Sequence, residues 1–138
     1  MTINKNNYKD EILSATALLL SISNADDNID RNEIDLIKDI IIDFFEVNKD
    51  DCTDIINISL QMLNSSTDIY EYGRVLNKVF TYNDKVDFIC CTFEVAYSDE
   101  ILHFKEEYFI KKISTILNVN HSDLINSKTE MKKYLELQ

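Results

Sequence analysis

The scarcity of glycine and proline is the feature that most constrains this chain. Its 138 residues include one glycine, Gly73, and no proline. Sheets and doubly wound folds use both residues in their tight turns, whereas helix interiors avoid them. We therefore expect long helices joined by short polar connections. The same scarcity excludes a phosphate-binding glycine loop and a nucleophile elbow, because each needs more than one glycine.

Apolar residues recur at steps of three and four along seven segments, the pattern of amphipathic helices. The predicted helices cover approximately residues 9–23, 31–48, 50–63, 68–80, 83–97, 104–117 and 121–135. Since apolar residues make up 45% of the chain, it can bury one core. We predict an all-α, single-domain bundle of about seven helices over residues 1–138. In the first helix we expect one buried stripe, formed by Ile12, Ala15, Leu19 and Ile22.

An internal repeat relates two parts of the chain at an offset of 73 residues. Asp26 falls on Asp99 and Glu33 on Glu106, while apolar residues match apolar residues on either side. The halves, about 9–48 and 83–118, each read as helix, acidic turn and helix. We expect the two helix hairpins to form a pseudo-twofold pair that packs together. Ile37 and Ile110, which the repeat relates, should both be buried, as should Leu19 and Phe93.

The repeated motif resembles the TerB family, which is linked to tellurite resistance. The first copy is A-D-D-N-I-D-R-N-E over residues 25–33, and the second is S-D-E-I-L-H-F-K-E over 98–106. The resemblance implies an all-helical bundle whose acidic residues bind a divalent metal and which acts with stress-response or membrane-associated partners rather than as an enzyme. Members of the family usually carry glycine after each motif aspartate, where this chain has Asp27 and Glu100.

Two interpretations of the acidic turns remain open from the sequence. In one, the carboxylates of Asp26, Glu33, Asp99 and Glu106 converge and hold Ca²⁺, Mg²⁺ or Mn²⁺, which prefer oxygen ligands. In the other, Asp30 and Glu33 form a capping box at the start of the second helix, and no metal binds. An EF-hand is excluded, because its sixth and twelfth positions would be Arg31 and Ile37 rather than glycine and glutamate.

The charge of the chain bears on its partners. The formal net charge is −11, and residues 1–69 carry −9 of it. Such a field repels phosphate backbones, so we expect no nucleic acid partner but a protein partner with a basic surface. Because no apolar segment is long enough to enter a bilayer, we expect no membrane insertion and a cytoplasmic location. The oligomeric state does not follow from the sequence.

Other chemically capable residues have structural explanations. Cys90 and Cys91 are neighbours on a predicted helix and point about 100° apart, so they make a poor metal pair. His103 and His121 lie at predicted helix starts, where a lone imidazole is a surface residue. We expect the tyrosines to line the core with their hydroxyl groups at its edge, rather than to form an aromatic binding surface with Phe80; they are Tyr70, Tyr72, Tyr82, Tyr97, Tyr108 and Tyr134.

Three functions are to be considered for a chain with these features. The first is a non-enzymatic TerB-like module of a stress response that binds a protein partner and, through its acidic turns, a divalent cation. The alternative is a purely structural acidic interaction domain without metal. The third, a metal-dependent hydrolase, is disfavoured because the carboxylates lack a recognisable base or oxyanion donor nearby in sequence.

Overall fold

The computed structural model describes residues 8–23, 31–65, 68–98, 102 and 104–136. Helices account for 86% of these residues, and none of them lies in a strand, which confirms the predicted all-α fold. The α-helices are α1 (Asp10–Ser23), α2 (Arg31–Phe45), α3 (Cys52–Asn64), α4 (Ile69–Val79), α5 (Tyr82–Ala96), α6 (Phe104–Ile116) and α7 (His121–Glu136), with a short 3-10 helix at Lys49–Asp51.

Helix α1 is the centre of the bundle. It packs against α2, α3, α4, α5 and α6. The predicted stripe of Ile12, Ala15, Leu19 and Ile22 is buried, and burial extends beyond it to every residue from Ile12 to Leu20. A helix that is apolar on all faces must be surrounded by others, and the run A-L-L-L at 17–20 carries that signal. Two of its polar side chains bond to the helix's own backbone: the Thr16 hydroxyl donates to the Ile12 carbonyl at 2.7 Å, and the Ser21 hydroxyl donates to the Ala17 carbonyl at 2.9 Å.

The two predicted hairpins appear in the helix boundaries and in the burial pattern. The 73-residue offset carries the end of α1 at Ser23 onto the end of α5 at Ala96, and the start of α2 at Arg31 onto the start of α6 at Phe104. Ile37 and Ile110 are both fully buried, as are Leu19 and Phe93, which confirms these predictions. The hairpins also pack together, because α1 contacts α5 and α6, and α2 contacts α5.

Two of the helix ends that differ from the prediction have a clear local cause. Helix α2 ends at Phe45, before the expected Val47–Asn48, because Glu46 adopts a left-handed conformation with φ 57°. Helix α5 begins at Tyr82 rather than at Asn83, because Thr81 is its cap. The Thr81 hydroxyl accepts the backbone N–H of Asp84, and the Asp84 carboxylate accepts that of Thr81. This capping box satisfies two backbone donors at once.

The only glycine of the chain marks a close helix crossing. A Cβ atom at Gly73 in α4 would lie 2.1 Å from Cγ2 of Ile116 at the end of α6. One turn further along α4, the Asn77 side chain donates a hydrogen bond of 2.9 Å to the Ile116 carbonyl. Glycine is therefore required at position 73 by close packing rather than by an unusual backbone angle.

Most of the tyrosines do not line the core, so that prediction was wrong. Tyr72 is buried and Tyr97 half-buried, whereas four others are exposed: Tyr70, Tyr82, Tyr108 and Tyr134. The exposed hydroxyl of Tyr82 donates to the Asp123 carboxylate and accepts the Asn120 backbone N–H at 3.0 Å. It thereby ties the start of α5 to the start of α7. Nor does Phe80 join the tyrosines; its ring packs against those of three phenylalanines, Phe44, Phe45 and Phe88.

Candidate functional site

Two of the four predicted metal ligands lie within the described residues. Glu33, in the first turn of α2, is 6% exposed, and Glu106, in the first turn of α6, is 2% exposed. Asp26 and Asp99, like the proposed cap Asp30, lie outside the described residues. The repeat thus places a buried glutamate at the same position of both hairpins.

Burial of these two carboxyl groups has an electrostatic cost. A carboxylate removed from water needs hydrogen bonds, an ion pair or a bound cation to remain charged. Neither Glu33 nor Glu106 is without an interaction partner. Within the described parts of the chain, no three His, Cys, Asp or Glu side chains lie close enough together to hold a metal ion. Convergence of all four predicted carboxylates therefore stays a prediction.

A second feature is a cleft of about 620 Å³ where α2, α5 and α7 meet. Leu36, Tyr97 and Leu135 give it an apolar lining, while Glu94 and Glu136 supply carboxylates. The remaining lining residues are Asn32, Ser98 and Lys132. We call this set of eight residues the acidic cleft. It lies beside the first turn of α2, next to the predicted acidic turns in sequence.

The electrostatics of the acidic cleft favour a positively charged ligand. Burial raises the pKa of Glu94, and the carboxylates of Asp43 and Asp39 in α2 raise it further. Lys132 stands on the α7 wall, so the α2–α5 side of the cleft is its more negative part. A cation placed there would stabilise the Glu94 carboxylate and reduce its repulsion with α2.

Sequence reasoning missed this cleft, although one signal pointed to it. Glu94 interrupts the apolar residues of α5 between Phe93 and Val95, both of which are buried. An acid so close to a buried stripe stands at the edge of the core, where it is partly desolvated. Its neighbours across the cleft come from α2 and α7, and that contact between distant segments cannot be read from local periodicity.

The cysteines do not form a reactive pair. Burial raises the pKa of the Cys91 thiol to about 12, and burial also raises the pKa of the Cys90 thiol. Thiols with such pKa values stay protonated at neutral pH and are poor nucleophiles and poor metal ligands. This agrees with the structural role expected from the sequence.

The fold and the site define an all-helical domain built on two equivalent helix hairpins with buried glutamates. Residues 12–129 match the family model described as Tellurite resistance protein TerB, and the chain belongs to that family. The resemblance seen in the repeated acidic motif is thereby confirmed. No curated protein and no solved structure matched the chain. None of the described helices has the length and apolar character needed to cross a bilayer.

Proposed function

We propose that this TerB domain is a non-enzymatic interaction module that binds a basic segment of a partner protein in the acidic cleft. The observation that carries the proposal is the position of Glu94. Its carboxyl group lies in the cleft, partly buried, with Asp39 and Asp43 as acidic neighbours, while Lys132 of the lining stands on the α7 wall. A lysine or arginine of a partner would supply a positive charge on the α2–α5 side.

The lining of the cleft suits a long basic side chain. Lysine and arginine carry an apolar stem below a charged head, and the stem packs on apolar surface while the head reaches polar groups. Leu36, Tyr97 and Leu135 offer that surface next to Glu94. The net charge of −11 adds long-range attraction for a basic partner and accelerates its association.

The biological setting of the proposal comes from the family. Its description names tellurite resistance, and on that basis we assign the module to a stress response in the cytoplasm. The proposal assigns no reaction to the chain. Its acidic groups are arranged to attract a cationic surface, and the mechanism is recognition by charge and apolar contact.

Binding of a fluorescent lysine-rich peptide, followed by anisotropy, tests the proposal. We expect Glu94→Gln to weaken binding by about tenfold, equivalent to about 1.4 kcal/mol, because it removes one charge-assisted hydrogen bond. Asp50→Asn is the matched control, since it removes one exposed charge that does not belong to the cleft lining. An equal loss in both variants would show that the peptide responds only to net charge.

The buried glutamates favour a second function, the binding of a divalent cation. Glu33 and Glu106 occupy equivalent positions at the starts of α2 and α6, and each follows an aspartate of the motif, Asp26 or Asp99, by seven residues. A hard cation held by these four carboxylates would relieve their mutual repulsion. We propose Ca²⁺, Mg²⁺ or Mn²⁺ as the ligand.

Thermal unfolding with and without millimolar Ca²⁺, Mg²⁺ or Mn²⁺ tests the cation site, with sodium at matched ionic strength as the salt control. A cation bound only by the folded state stabilises it by about 2.7 kcal/mol at a hundred times its Kd. The double change Asp26→Asn with Asp99→Asn should abolish the specific shift, whereas Asp50→Asn with Asp87→Asn should retain it. Equal shifts in both double variants would leave the alternative, an acidic interaction domain without metal.

A further inference from the structure

The outer face of α6 carries exposed aromatic side chains. Phe104 is 85% exposed and Tyr108, one turn later, is 59% exposed. Lys112 follows after another turn, so the three side chains form one row along the helix. Lys105, next to Phe104, is also exposed. A phenylalanine almost fully in water is unusual for a residue of its size in a chain that buries Ile and Leu so thoroughly.

This row continues onto α4. The Lys112 ammonium lies 5.5 Å from the centre of the Tyr70 ring, a cation–π contact that joins the two helices. Arg74 and Lys78 follow Tyr70 at steps of four residues along the exposed side of α4. Arg74 pairs with the neighbouring Glu71 at 3.1 Å, but both side chains are largely in solvent, where such a pair contributes little. We call the row the aromatic–basic band; its members are Phe104, Lys105, Tyr108, Lys112, Tyr70, Arg74 and Lys78.

The band and the acidic cleft are complementary in charge and in apolar character. The band offers aromatic rings beside lysines and an arginine. The acidic cleft offers Leu36, Tyr97 and Leu135 beside Glu94 and Glu136. Exposed aromatic residues and arginine are the side chains that interfaces favour, and they dominate binding energy, while the lysines of the band add charge complementarity to the acidic cleft. Both halves of such an interface are present on this one chain.

We propose that the aromatic–basic band of one copy docks into the acidic cleft of a second copy, so that the chain associates head to tail. The inference rests on the proposed function, because that function makes the cleft a binding site and the inference names its occupant. The band belongs to α4 and α6 and the cleft to α2, α5 and α7, so each copy keeps one band and one cleft available. Such a heterologous contact builds an open-ended assembly of many copies, unless the rotation between neighbouring copies closes a ring.

The net charge sets the conditions under which this contact forms. Two copies of charge −11 repel at low ionic strength. At physiological salt the repulsion is screened beyond about 8 Å, while the close contacts between band and cleft are screened less. We therefore expect a weak contact that forms only at high protein concentration. Its Kd should be roughly 0.1–1 mM, as in transient protein–protein complexes.

Sedimentation equilibrium in physiological salt, at concentrations up to roughly 1 mM, tests the proposal. The wild-type chain should exceed its monomer mass of 16.1 kDa with increasing concentration. A band variant, Phe104→Ser with Tyr108→Ser, and a cleft variant, Glu94→Gln with Glu136→Lys, should each stay monomeric. Mixed in equal amounts, they should form a dimer and nothing larger, because the mixture contains one intact band and one intact cleft per pair. Ile125→Ser, which removes another exposed apolar residue, should associate like the wild type.

A wild-type chain that stays monomeric, or a mixture that forms no dimer, would overturn the inference. Association of the band variant equal to that of the wild type would overturn it as well. The lysine-rich peptide separates this failure from that of the proposed function. The band variant keeps the cleft and should bind the peptide as the wild type does; loss of peptide binding in the wild type itself would refute the proposed function instead.

Discussion

Helices α2 and α6 occupy equivalent positions in the two hairpins, yet only their buried faces agree. Ile37 and Ile110 are both fully buried, and the first turns of both helices carry a buried glutamate. On this face the repeat preserves residue type because each helix packs against α1 and α5. Packing into a dense interior tolerates few changes of shape or polarity.

The exposed faces of the same helices have opposite chemistry. The offset of 73 residues carries Asp35 onto Tyr108 and Asp39 onto Lys112. Asp39 acts on Glu94 of the acidic cleft, whereas Tyr108 and Lys112 on α6 belong to the aromatic–basic band. Solvent-facing positions have no packing partner to satisfy, so the two hairpins were able to diverge there. This domain therefore repeats its core and divides its surface into two unlike faces.

The strongest test of the shared face is truncation of the paired isoleucines. Ile37→Ala and Ile110→Ala should each lower the free energy of unfolding by about 2–5 kcal/mol, as loss of a packed core side chain does. Urea unfolding measures both values. Asp39→Ala and Lys112→Ala, at exposed or half-exposed equivalent positions, should change it by only about 0.5 kcal/mol. A loss below half a kcal/mol at either isoleucine would break the equivalence of the hairpins.

A smaller effect is expected where the hairpins differ in packing. Ile116 of α6 lies against Gly73, whereas its counterpart in α2, Asp43, is exposed. Gly73→Ala should be destabilising on balance, because overpacking costs about 1–3 kcal/mol and the better helix propensity of alanine returns about 0.8–1 kcal/mol. The double change with Ile116→Ala should remove the clash, so the two effects should not add in a double-mutant cycle. Additive effects would show that the helices do not meet there.

Loss of the capping box of α5 should have a smaller effect on stability than truncation of a core isoleucine. Thr81 corresponds to Tyr8 in the first hairpin, which offers no equivalent cap. Thr81→Ala should lower the free energy of unfolding by about 1 kcal/mol, because the backbone N–H of Asp84 loses its acceptor. Thr81→Ser keeps the hydroxyl and serves as the control. Thermal or urea unfolding measures the stability of both variants. An equal loss of stability in Thr81→Ala and Thr81→Ser would contradict the assignment of this cap.

The smallest effect concerns pH and Glu94, whose counterpart in the first hairpin is Ser21. Burial and the carboxylates of Asp43 and Asp39 raise the pKa of Glu94 above its ordinary 4.5. Between 4.5 and the raised pKa, the folded state binds more protons at this site than the unfolded state. Its contribution to stability therefore increases as pH falls through that window and is lost as pH rises. Glu94→Gln should remove this dependence, and unfolding at a series of pH values compares the two chains. An identical dependence of unfolding free energy on pH in the two chains would refute the raised pKa of Glu94.

Much of the fold follows from local patterns. The scarcity of glycine and proline and the apolar periodicity predicted the seven helices, and the repeat predicted the burial of Ile37 and Ile110. The all-round burial of α1 was missed because periodicity was sought on one face only. The exposure of Tyr108 and Phe104 and the cleft around Glu94 depend on which distant helices come together. Local sequence does not determine such contacts.

The most direct test of the two-faced domain is an NMR titration of the ¹⁵N-labelled chain with a lysine-rich peptide. In a solution dilute enough that copies do not associate, amide shifts should concentrate at the acidic cleft, in the signals of Leu36, Glu94 and Tyr97, while the signals of Phe104 and Tyr108 on the aromatic–basic band remain unchanged. Salt at matched ionic strength without peptide is the control. Shifts spread evenly over exposed acids such as Asp50 and Asp54, or centred on α6, would contradict the account.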